Sequence, residues 1–535
     1  MARRAFGPFS IIERRRGSQR THPVRKVLIA NRGEIGVRIA RACRERGLGV
    51  VAVYAGPDAT RMHVLAADEA VCLDPEAGEA GSGADARPVA AYLSVARIID
   101  AARRSGADAV HPGYGFLSER PALAAACVDA GLTFIGPPAD VIARMGSKLE
   151  ARRLMEQAGV PCVPGARPDD QSIEALRAAA TQVGVPLLVK ASAGGGGKGM
   201  RVVERIEDLD EALGGARREA ESAFGDGTLY IERRIDKPRH IEVQIIADTH
   251  GATLHLGERE CSLQRRHQKV IEEAPSPVVS PVLRARLGAA AVSAARAAGY
   301  RNAGTVEFLL EGDGDQAPFY FLEMNTRLQV EHPITELVTG LDLVQLQLDV
   351  AEGLPLTLSQ ETITPRGHAV ECRVYAEAPA QGFLPQAGIV LRYHEPQGPG
   401  IRVDSGVRQG DVITPDFDPL LAKLIVHAPT RTAALSRARQ ALRDFVVLGL
   451  RTNIPYLLRV LSHADVEVGA FHTGWLAQQH ESLTAPATDS TLAAASAVAA
   501  RQRQLPLDQQ RDAAEVSVGT SALSTPWQTL GNWRG

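Results

Sequence analysis

The sequence predicts an α/β protein of several domains, and three observations lead to that prediction. At 535 residues the chain is too long for one hydrophobic core, so about three or four domains are expected. Short apolar runs typical of buried strands alternate with amphipathic helical patterns in its first part. Hydrophobic residues make up 45% and charged residues 23%, which is the composition of an ordinary globular protein.

Charge, hydropathy and cysteine content exclude several classes of function. A formal net charge of −2 gives no electrostatic reason to expect nucleic acid or an acidic membrane as the main partner. No apolar run reaches the ~18 residues that a membrane span needs. The six cysteines are scattered and form no Cys-x-x-Cys pair, so neither a zinc site nor a redox motif is indicated. Few cysteines in a long chain suit a reducing compartment.

The first 25 residues contain seven arginines and a single acid, Glu13. An Arg-rich, acid-poor start is typical of a mitochondrial transit peptide, but it also fits a basic extension of a bacterial cytoplasmic protein. Because the whole chain is rich in Ala and Arg, we favour the extension. Residues 1–23 are assigned to it, and a cytoplasmic location is expected.

The first domain is expected at residues 24–147. Its four predicted strands are Lys26–Ala30, Gly49–Tyr54, Asp108–His111 and Thr133–Gly136. Between the first two strands, a helical pattern places Ile35 and Ile39 on an apolar face and its arginines on the other face. Strands that alternate with amphipathic helices predict a parallel sheet covered by helices.

The rest of the chain is expected to form two further domains and a tail. Their bounds are 148–353, 366–476 and 480–535. The second domain mixes helical and strand-like segments, and the third is strand-rich until Ile425 and helical from Arg431. The tail is rich in Ala, Ser, Thr and Gln with little apolar periodicity, so we expect a linker.

A glycine-rich loop, Gly194–Gly199, follows a predicted strand that ends in Lys190. Glycines let backbone N–H groups approach phosphate oxygens closely, and lysines supply charge. A dinucleotide-binding loop would continue into a helix, whereas Met200–Val203 has strand character, and no Ser or Thr follows the lysine as in a P-loop. Two interpretations stay open, namely a hairpin that folds over a triphosphate and a merely flexible turn.

The segment Tyr320–His332 carries polar residues at every second position. Along an extended chain alternate residues share a face. The residues on the polar face are Glu323, Asn325, Arg327, Gln329 and Glu331. One face is therefore expected to present oxygen ligands, then a cation, then another carboxylate.

An upstream predicted strand, Gly304–Leu310, places Glu307 alone among apolar neighbours. Glu307, Glu323 and Asn325 would make an all-oxygen site suited to Mg²⁺ that bridges nucleotide phosphates. The alternative is an amphipathic edge strand with solvated charges. We favour the metal site, because the alternative does not explain the isolated acid in the partner strand.

Four basic residues lie within five positions of the segment Cys261–Glu273. They are Arg265, Arg266, His267 and Lys269. Such a cluster is typical of anion binding, although a solvated basic loop explains it equally well when it is taken alone.

Taken together, these segments resemble the biotin carboxylase family of ATP-grasp enzymes. Those that carry the resemblance are Ile29–Ile35, His111–Glu119, Met145–Lys148, Gly194–Gly199, Pro238–Glu242, Gln264–Glu273 and Glu323–Pro333. The match covers about residues 24–476, with the motifs in the right order. It implies a Rossmann-like N-terminal domain, an ATP-grasp domain with a mobile lid, and a mixed α+β C-terminal domain.

The resemblance also implies a role for individual residues. ATP contacts would come from Lys148, Lys190, Gly196, Gly197, Glu232, Arg233, Arg234, Ile235, His240, Gln264 and His267. Metal ligands for Mg²⁺ or Mn²⁺ would be Glu307, Glu323 and Asn325. Bicarbonate contacts would come from Lys269, Arg327, Gln329 and Val330. Glu331 would be the general base, and Arg373 would face the ureido group of biotin. Lys269, Arg327, Glu331 and Arg373 would carry the catalysis.

The implied activity is carboxylation of biotin with ATP and bicarbonate through carboxyphosphate, the first half-reaction of an acetyl- or acyl-CoA carboxylase in fatty acid metabolism. No Ala-Met-Lys-Met acceptor occurs, so biotin is expected on a separate carrier protein or domain. A carboxyltransferase subunit and self-association into a homo-oligomer are further expectations, and residues 480–535 would open a connecting domain. Alternatives are a urea or pyruvate carboxylase system, another ATP-grasp ligase, and a non-catalytic scaffold that keeps the fold.

Overall fold

The computed structural model of the chain describes residues 24–74, 87–192 and 200–485. Three expectations fall outside these residues. They concern the basic extension at 1–23, the glycine-rich loop with Gly196 and Gly197, and the tail from residue 486 onward. Each of them stays a prediction.

The N-terminal part of the chain is a parallel sheet flanked by helices, as the sequence predicts. Its strands are β1 (Lys26–Ile29), β2 (Gly49–Tyr54), β3 (Glu69–Cys72), β4 (Ala109–His111) and β5 (Thr133–Phe134). Its helices are α1 (Gly33–Glu45), α2 (Met62–Leu65), α3 (Val89–Tyr92), α4 (Val95–Ser105), α5 (Pro121–Asp129) and α6 (Ala139–Gly146). The strand order is β3-β2-β1-β4-β5 with parallel neighbours, which is a Rossmann-like arrangement.

The expectation for helix α1 is wrong at one arginine. Arg41 and Arg44 are exposed, but Arg38 is buried. Its guanidinium pairs with Glu336 at 2.9 Å and with Asp342 at 2.8 Å. A buried guanidinium needs anionic partners, and these come from a distant part of the chain that helical periodicity does not reveal.

The middle of the chain contains two sheets. Its helices are α7 (Lys148–Gln157), α8 (Ile173–Val183), α9 (Leu209–Phe224), α10 (Pro281–Ala298), α11 (His332–Thr339) and α12 (Leu343–Ala351). Its strands are β6 (Gly165–Ala166), β7 (Leu187–Ala191), β8 (Arg201–Val203), β9 (Leu229–Arg233), β10 (Arg239–Ala247), β11 (Thr253–Arg265), β12 (Gln268–Ala274), β13 (Asn302–Leu310) and β14 (Phe319–Asn325). Strands β6-β9-β7-β8 form a small antiparallel sheet, and β10 to β14 belong to a larger one.

The C-terminal part of the chain extends the larger sheet. Its strands are β15 (His368–Tyr375), β16 (Glu377–Ala378), β17 (Leu384–Pro385), β18 (Gly388–Ile389), β19 (Arg392–His394), β20 (Ile401–Ser405), β21 (Val412–Ile413), β22 (Leu420–Ala428) and β23 (Val446–Leu448). Its helices are α13 (Arg431–Asp444), α14 (Ile454–Leu461), α15 (Ala464–Val468), α16 (Trp475–Gln478) and α17 (His480–Thr484). Among the described residues the large sheet has the order β14-β13-β10-β11-β12-β15-β22-β20, so it crosses the boundary expected between the second and third domains.

Alternation of side chains gives part of the large sheet an apolar face and, opposite it, a face that carries charges. On β13, Val306 and Phe308 pack into the apolar core beneath α10, whereas Glu307 lies on the opposite face. On the neighbouring β10, Ile241 belongs to the same core and Glu242 lies beside Glu307. The charged face is therefore built by the strand pattern itself.

The first residues of the expected tail belong to the fold. Leu483 on α17 is buried in the apolar core of the C-terminal part, together with Trp475 and Leu476. Arg459 donates a hydrogen bond of 2.8 Å to the carbonyl oxygen of Leu483. The boundary between the two compact units of the chain falls directly after Leu483.

None of the helices within the three described ranges combines the length and the apolar character needed to cross a bilayer.

Candidate functional site

A cavity of about 790 Å³ is lined by residues of both antiparallel sheets. The sequence-predicted residues that line it are Lys148, Lys190, Glu232, Arg233, Ile235, His240, Gln264, His267, Lys269, Glu307, Glu323, Asn325, Arg327, Gln329, Val330 and Arg373. Glu331 lies behind this lining, fully buried, and its carboxylate bonds two of the lining residues. Arg234 does not line the cavity, because its guanidinium pairs with Glu204 and Asp236.

One end of the cavity carries two lysines. Lys190 on β7 pairs with Glu232 at 2.5 Å, and Arg152 holds the other oxygen of that carboxylate at 2.7 Å. Lys148 opens α7, and burial lowers its pKa, an effect that the nearby Glu323 carboxylate opposes. An anion bound between the two ammonium groups would stabilise their charged forms, so this end suits phosphate.

The turn between β11 and β12 presents part of the basic cluster to the cavity. Arg266 and His267 form the turn with positive φ angles of 49° and 66°, and both line the cavity. Lys269 lines it as well, opposite Gln264 in the strand register. Arg265 does not. Its guanidinium pairs with Glu377 at 3.3 Å and lies 3.8 Å from the centre of the Phe383 ring.

The expected metal ligands lie side by side. Glu307 on β13 and Glu323 on β14 are direct register partners, and Asn325 Nδ2 donates to Glu307 Oε1 at 2.8 Å. Burial opposes ionisation of Glu307, but Lys269 at 2.8 Å and His240 at 2.9 Å hold its pKa well below the ordinary value.

Glu323 has the opposite electrostatic character. It is accessible from the cavity, yet desolvation by the surrounding protein, with the Glu307 charge, raises its pKa to about 7. Within the described ranges it has no hydrogen bond and no ion pair, so an added cation would stabilise its ionised form. Two carboxylates and an amide fit a hard divalent ion such as Mg²⁺, provided that the Asn325 amide turns its oxygen inward.

Lys269 is the centre of a buried charge cluster. Its ammonium bonds three carboxylates, those of Glu242 at 2.5 Å, Glu307 at 2.8 Å and Glu331 at 2.7 Å. Arg373 bonds Glu331 at 3.0 Å and Glu272 at 2.6 Å. Burial alone would raise the pKa of Glu331, but Lys269 and Arg373 outweigh it and hold that pKa well below the ordinary value. Glu331 is therefore ionised and able to accept a proton.

Arg327 is held at the cavity by a carboxylate from the N-terminal domain. Its Nε pairs with Glu119 Oε2 at 3.0 Å, and Glu119 Oε1 accepts the backbone N–H of Thr326 at 3.2 Å. The expectation of one extended face from 323 to 331 is only partly correct. Strand β14 ends at Asn325, and the next six residues form a loop and turn that lead into α11. Arg327 and Gln329 reach the cavity from that loop.

Sequence reasoning missed several residues of the charge cluster. Glu242, Glu272 and Glu119 hold Lys269, Arg373 and Arg327 respectively, and Glu242 also pairs with the buried Arg259 at 2.5 Å. The sequence did contain a signal for them, because all three acids lie in segments that carry the family resemblance. Those residues are Glu119, Glu242 and Glu272. What the sequence does not contain is the cross-strand pairing that brings each acid to its cation.

Three family models match consecutive parts of the chain. The model of the biotin carboxylase N-terminal domain matches residues 23–142, and that of the biotin carboxylase C-terminal domain matches 371–478. Between them, residues 147–359 match the ATP-binding domain of the carbamoyl-phosphate synthase L chain.

Curated relatives are similar over most of this chain. Biotin carboxylase 1 of Bacillus subtilis is 47% identical over 453 residues, which are 85% of this chain and 98% of that protein. The mitochondrial methylcrotonoyl-CoA carboxylase subunit alpha of Glycine max is 48% identical over 473 residues. Those residues are 88% of this chain and 63% of the soybean subunit, so the chain spans less than two thirds of that relative.

Solved structures have the same fold. The biotin carboxylase domain dimer of Hydrogenobacter thermophilus 2-oxoglutarate carboxylase, in complex with MgADP, ADP and bicarbonate, has a TM-score of 0.80 and 44% identity. The matched region covers 86% of this chain and 99% of the Hydrogenobacter domain. The biotin carboxylase of Campylobacter jejuni has a TM-score of 0.79 and 40% identity, with 85% and 99% coverage.

Proposed function

The chain belongs to the biotin carboxylase family, and from that premise we propose that it uses MgATP and bicarbonate to carboxylate biotin presented by a separate carrier. The main support for this proposal is the charge cluster, in which the ionised carboxylate of Glu331 is bonded by two cations that also line the cavity. Such an arrangement can hold an anionic substrate and remove its proton at the same place.

Bicarbonate is a poor nucleophile until it loses its proton. We assign Glu331 as the base that takes this proton while the bicarbonate oxygen attacks the γ-phosphorus and the bond to ADP breaks. Lys269 and Arg327 would bind the bicarbonate, helped by Gln329 and Val330. Phosphoryl transfer depends mainly on positioning and charge neutralisation, which a cavity with several fixed cations supplies.

The low pKa of Glu331 describes the cluster before substrates bind. An anion that engages Lys269, and a ureido oxygen that engages Arg373, would both compete with Glu331 for these cations. Glu331 would then lose part of its electrostatic stabilisation and become a stronger base. Proton removal would thus be favoured only when bicarbonate and biotin are both in place.

At the other end of the cavity we assign ATP to Lys148, Lys190, His240, Gln264 and His267. Glu232 to Ile235 and the glycine-rich loop with Gly196 and Gly197 complete that proposed site. A divalent ion at Glu307, Glu323 and Asn325 would neutralise phosphate charge, and Mg²⁺ or Mn²⁺ both suit oxygen ligands.

Carboxyphosphate formed in this way would break down to CO₂ and phosphate inside the cavity. The phosphate would take the ureido N–H proton of biotin, and the nitrogen would then attack CO₂. Arg373 would stabilise the negative charge that develops on the ureido oxygen, as a fixed cation does for a developing oxyanion.

We propose a biotin carboxyl carrier, a carboxyltransferase and a second copy of this chain as partners. The relatives named methylcrotonoyl-CoA carboxylase subunit alpha and the dimer of the Hydrogenobacter domain support these assignments. We also propose the domain bounds 24–147, 148–353 and 366–476, with the last domain extended to Leu483 because that side chain belongs to its core. The acceptor of the carboxyl group is chosen by the carboxyltransferase, and an acyl-CoA is the proposed one.

The test is ATP cleavage measured with and without each substrate. We expect Mg²⁺-dependent ADP release that requires bicarbonate and increases with free biotin. Another ATP-grasp ligase would not respond to biotin, and a scaffold subunit would not cleave ATP. ADP release at the same rate with and without biotin would contradict the proposal.

A further inference from the structure

A lysine outside the cavity touches the segment that carries Glu331. Lys423 lies on β22 with its side chain completely buried. Its ammonium donates a hydrogen bond of 2.9 Å to the carbonyl oxygen of Val330, the residue directly before Glu331. The proposed reaction gives this buried cation no role.

Lys423 is held in place by anions from two other parts of the chain. Its Nζ lies 3.3 Å from Glu34 Oε2, at the start of α1, and 3.8 Å from Asp404 Oδ2 on β20. Asp404 is itself bonded through both oxygens by Arg402, at 2.9 and 2.7 Å. A buried ammonium is costly unless charges and hydrogen bonds compensate it, and here both anionic partners lie on regular elements, α1 and β20.

Glu34 belongs to the segment Ile29–Ile35, which carries the family resemblance but has no part in the proposed chemistry. Burial raises the pKa of Glu34 to about 7, and the Lys423 ammonium opposes that shift. Glu34 is only 5% exposed, and its contact with Lys423 indicates that its role in the segment Ile29–Ile35 is structural.

The backbone before Glu331 is held mainly by side chains, and His332 Nδ1 lies 2.8 Å from the carbonyl oxygen of Gln329. Between the end of β14 at Asn325 and the start of α11 at His332, the chain follows neither a strand nor a helix. Its local backbone bonds are at the long end of the range, with His332 N to Gln329 O and Ile334 N to Glu331 O both at 3.3 Å. A charged donor on β22, a strand that is paired on both sides, is a stronger hold than either of these backbone bonds.

We propose that Lys423 is a positioning residue for the general base. By holding the Val330 carbonyl, it fixes the turn that presents Glu331, and its ion pairs with Glu34 and Asp404 tie that turn to α1 and β20. The inference rests on the proposed function, since it requires Glu331 to act on substrate. A base displaced by about 1 Å can lose on the order of 10²-fold in rate, so the hold has kinetic consequences.

The test is a double-mutant cycle of Lys423→Met and Glu331→Gln, read by bicarbonate- and biotin-dependent ATP cleavage. We expect Lys423→Met alone to lower kcat by about 10- to 100-fold and to change KM for ATP by less than about twofold. In the Glu331→Gln background the same change should cost less than about twofold, because a displaced glutamine loses nothing further. Equal losses in both backgrounds would mean that Lys423 supports the fold in general, and would overturn the inference.

A second pair of variants keeps the test decisive if Lys423→Met does not fold. Glu34→Gln with Lys423→Met removes one charge of each sign, and Glu34→Gln alone is its matched reference. We expect kcat of the pair to be about 10- to 100-fold below that of this reference. A pair as active as its reference would overturn the role of Lys423. A wild-type chain without bicarbonate-dependent ATP cleavage would instead refute the proposed function.

Discussion

At the scale of single residues, the site is a set of charges that share partners. Lys269 bonds three carboxylates, and Glu331 is bonded by two cations. A substrate that displaces Glu331 leaves Lys269 bonded to Glu242 and Glu307, and leaves Arg373 bonded to Glu272. Replacing one charged residue of this set should therefore affect one step of the reaction. The changes in kcat and KM of each variant identify that step.

Glu331→Gln keeps the shape of the side chain but cannot accept a proton. We expect kcat to fall by about 10²–10⁴-fold with little change in KM for ATP. Steady-state kinetics with varied ATP measure this, and Glu361→Gln, at an exposed position, is the matched control. Near-normal turnover of Glu331→Gln would exclude it as the base.

The two arginines should give different profiles. Arg327→Ala should lower kcat and raise KM for bicarbonate, because Arg327 is proposed to hold both substrate and transition state. Arg373→Ala should abolish most biotin carboxylation while ATP cleavage without biotin does not fall, since removal of this cation raises the pKa of Glu331. The comparison needs both rates for each variant. A parallel loss of both rates in Arg373→Ala would contradict its assignment to biotin.

At the scale of elements, sequence patterns predicted where several strands lie. They predicted less well where a strand ends and which strands are neighbours. The first two strands follow from their apolar runs, and the shared face of Glu323 and Asn325 follows from alternation. Alternation could not show that β14 ends at Asn325, because the polar residues keep the same spacing through the following turn. It also could not reveal which strand lies beside which, and so it missed the acids that hold each cation.

His111, the last residue of β4, leads to a prediction about how the stability of the fold depends on pH. His111 is fully buried, with Nε2 at 3.2 Å from Gln347 Oε1, and Nδ1 accepts the N–H of Gly113 at 3.0 Å. The neutral ring satisfies both contacts. Burial, with the charge of Arg38, lowers the pKa of His111 to about 4, although the Gln347 contact opposes this.

The unfolded chain therefore binds the His111 proton below about pH 6.5, whereas the folded chain binds it only near pH 4. Stability should be fully present above pH 6.5 and fall by up to about 3 kcal/mol as pH decreases towards 4. We expect His111→Gln to lose less free energy of unfolding over that range than the wild type. Urea denaturation at several pH values measures it, with the exposed His394→Gln as control. Equal pH slopes in His111→Gln and wild type would contradict the account.

At the scale of the whole molecule, composition and motif order predicted an α/β chain with a parallel N-terminal sheet. They did not predict that one large sheet joins the middle and C-terminal parts through the β12–β15 pair. Pairing between distant strands depends on three-dimensional packing, which local patterns do not record. The same limit applies to Leu483, which stands alone in an apolar-poor segment yet completes a core.

Truncation tests where the catalytic unit ends. A chain that stops after Ala485 should keep biotin carboxylation with free biotin. A chain that stops after Gln479 should be destabilised, because it loses Leu483. Leu483→Ala, which removes only the buried side chain, should cost about 2–5 kcal/mol. Thermal unfolding and turnover of the three variants measure this, and full stability of the shorter chain would contradict the assigned boundary.

The central claim is that bicarbonate, and not water, attacks the γ-phosphorus of ATP in this cavity. It is tested most directly by fully ¹⁸O-labelled bicarbonate, supplied with MgATP and biotin, followed by mass analysis of the inorganic phosphate. The attacking oxygen stays with phosphorus when carboxyphosphate releases CO₂, so we expect one labelled oxygen in each phosphate formed. Phosphate without the label would show that water is the nucleophile, and would contradict the account.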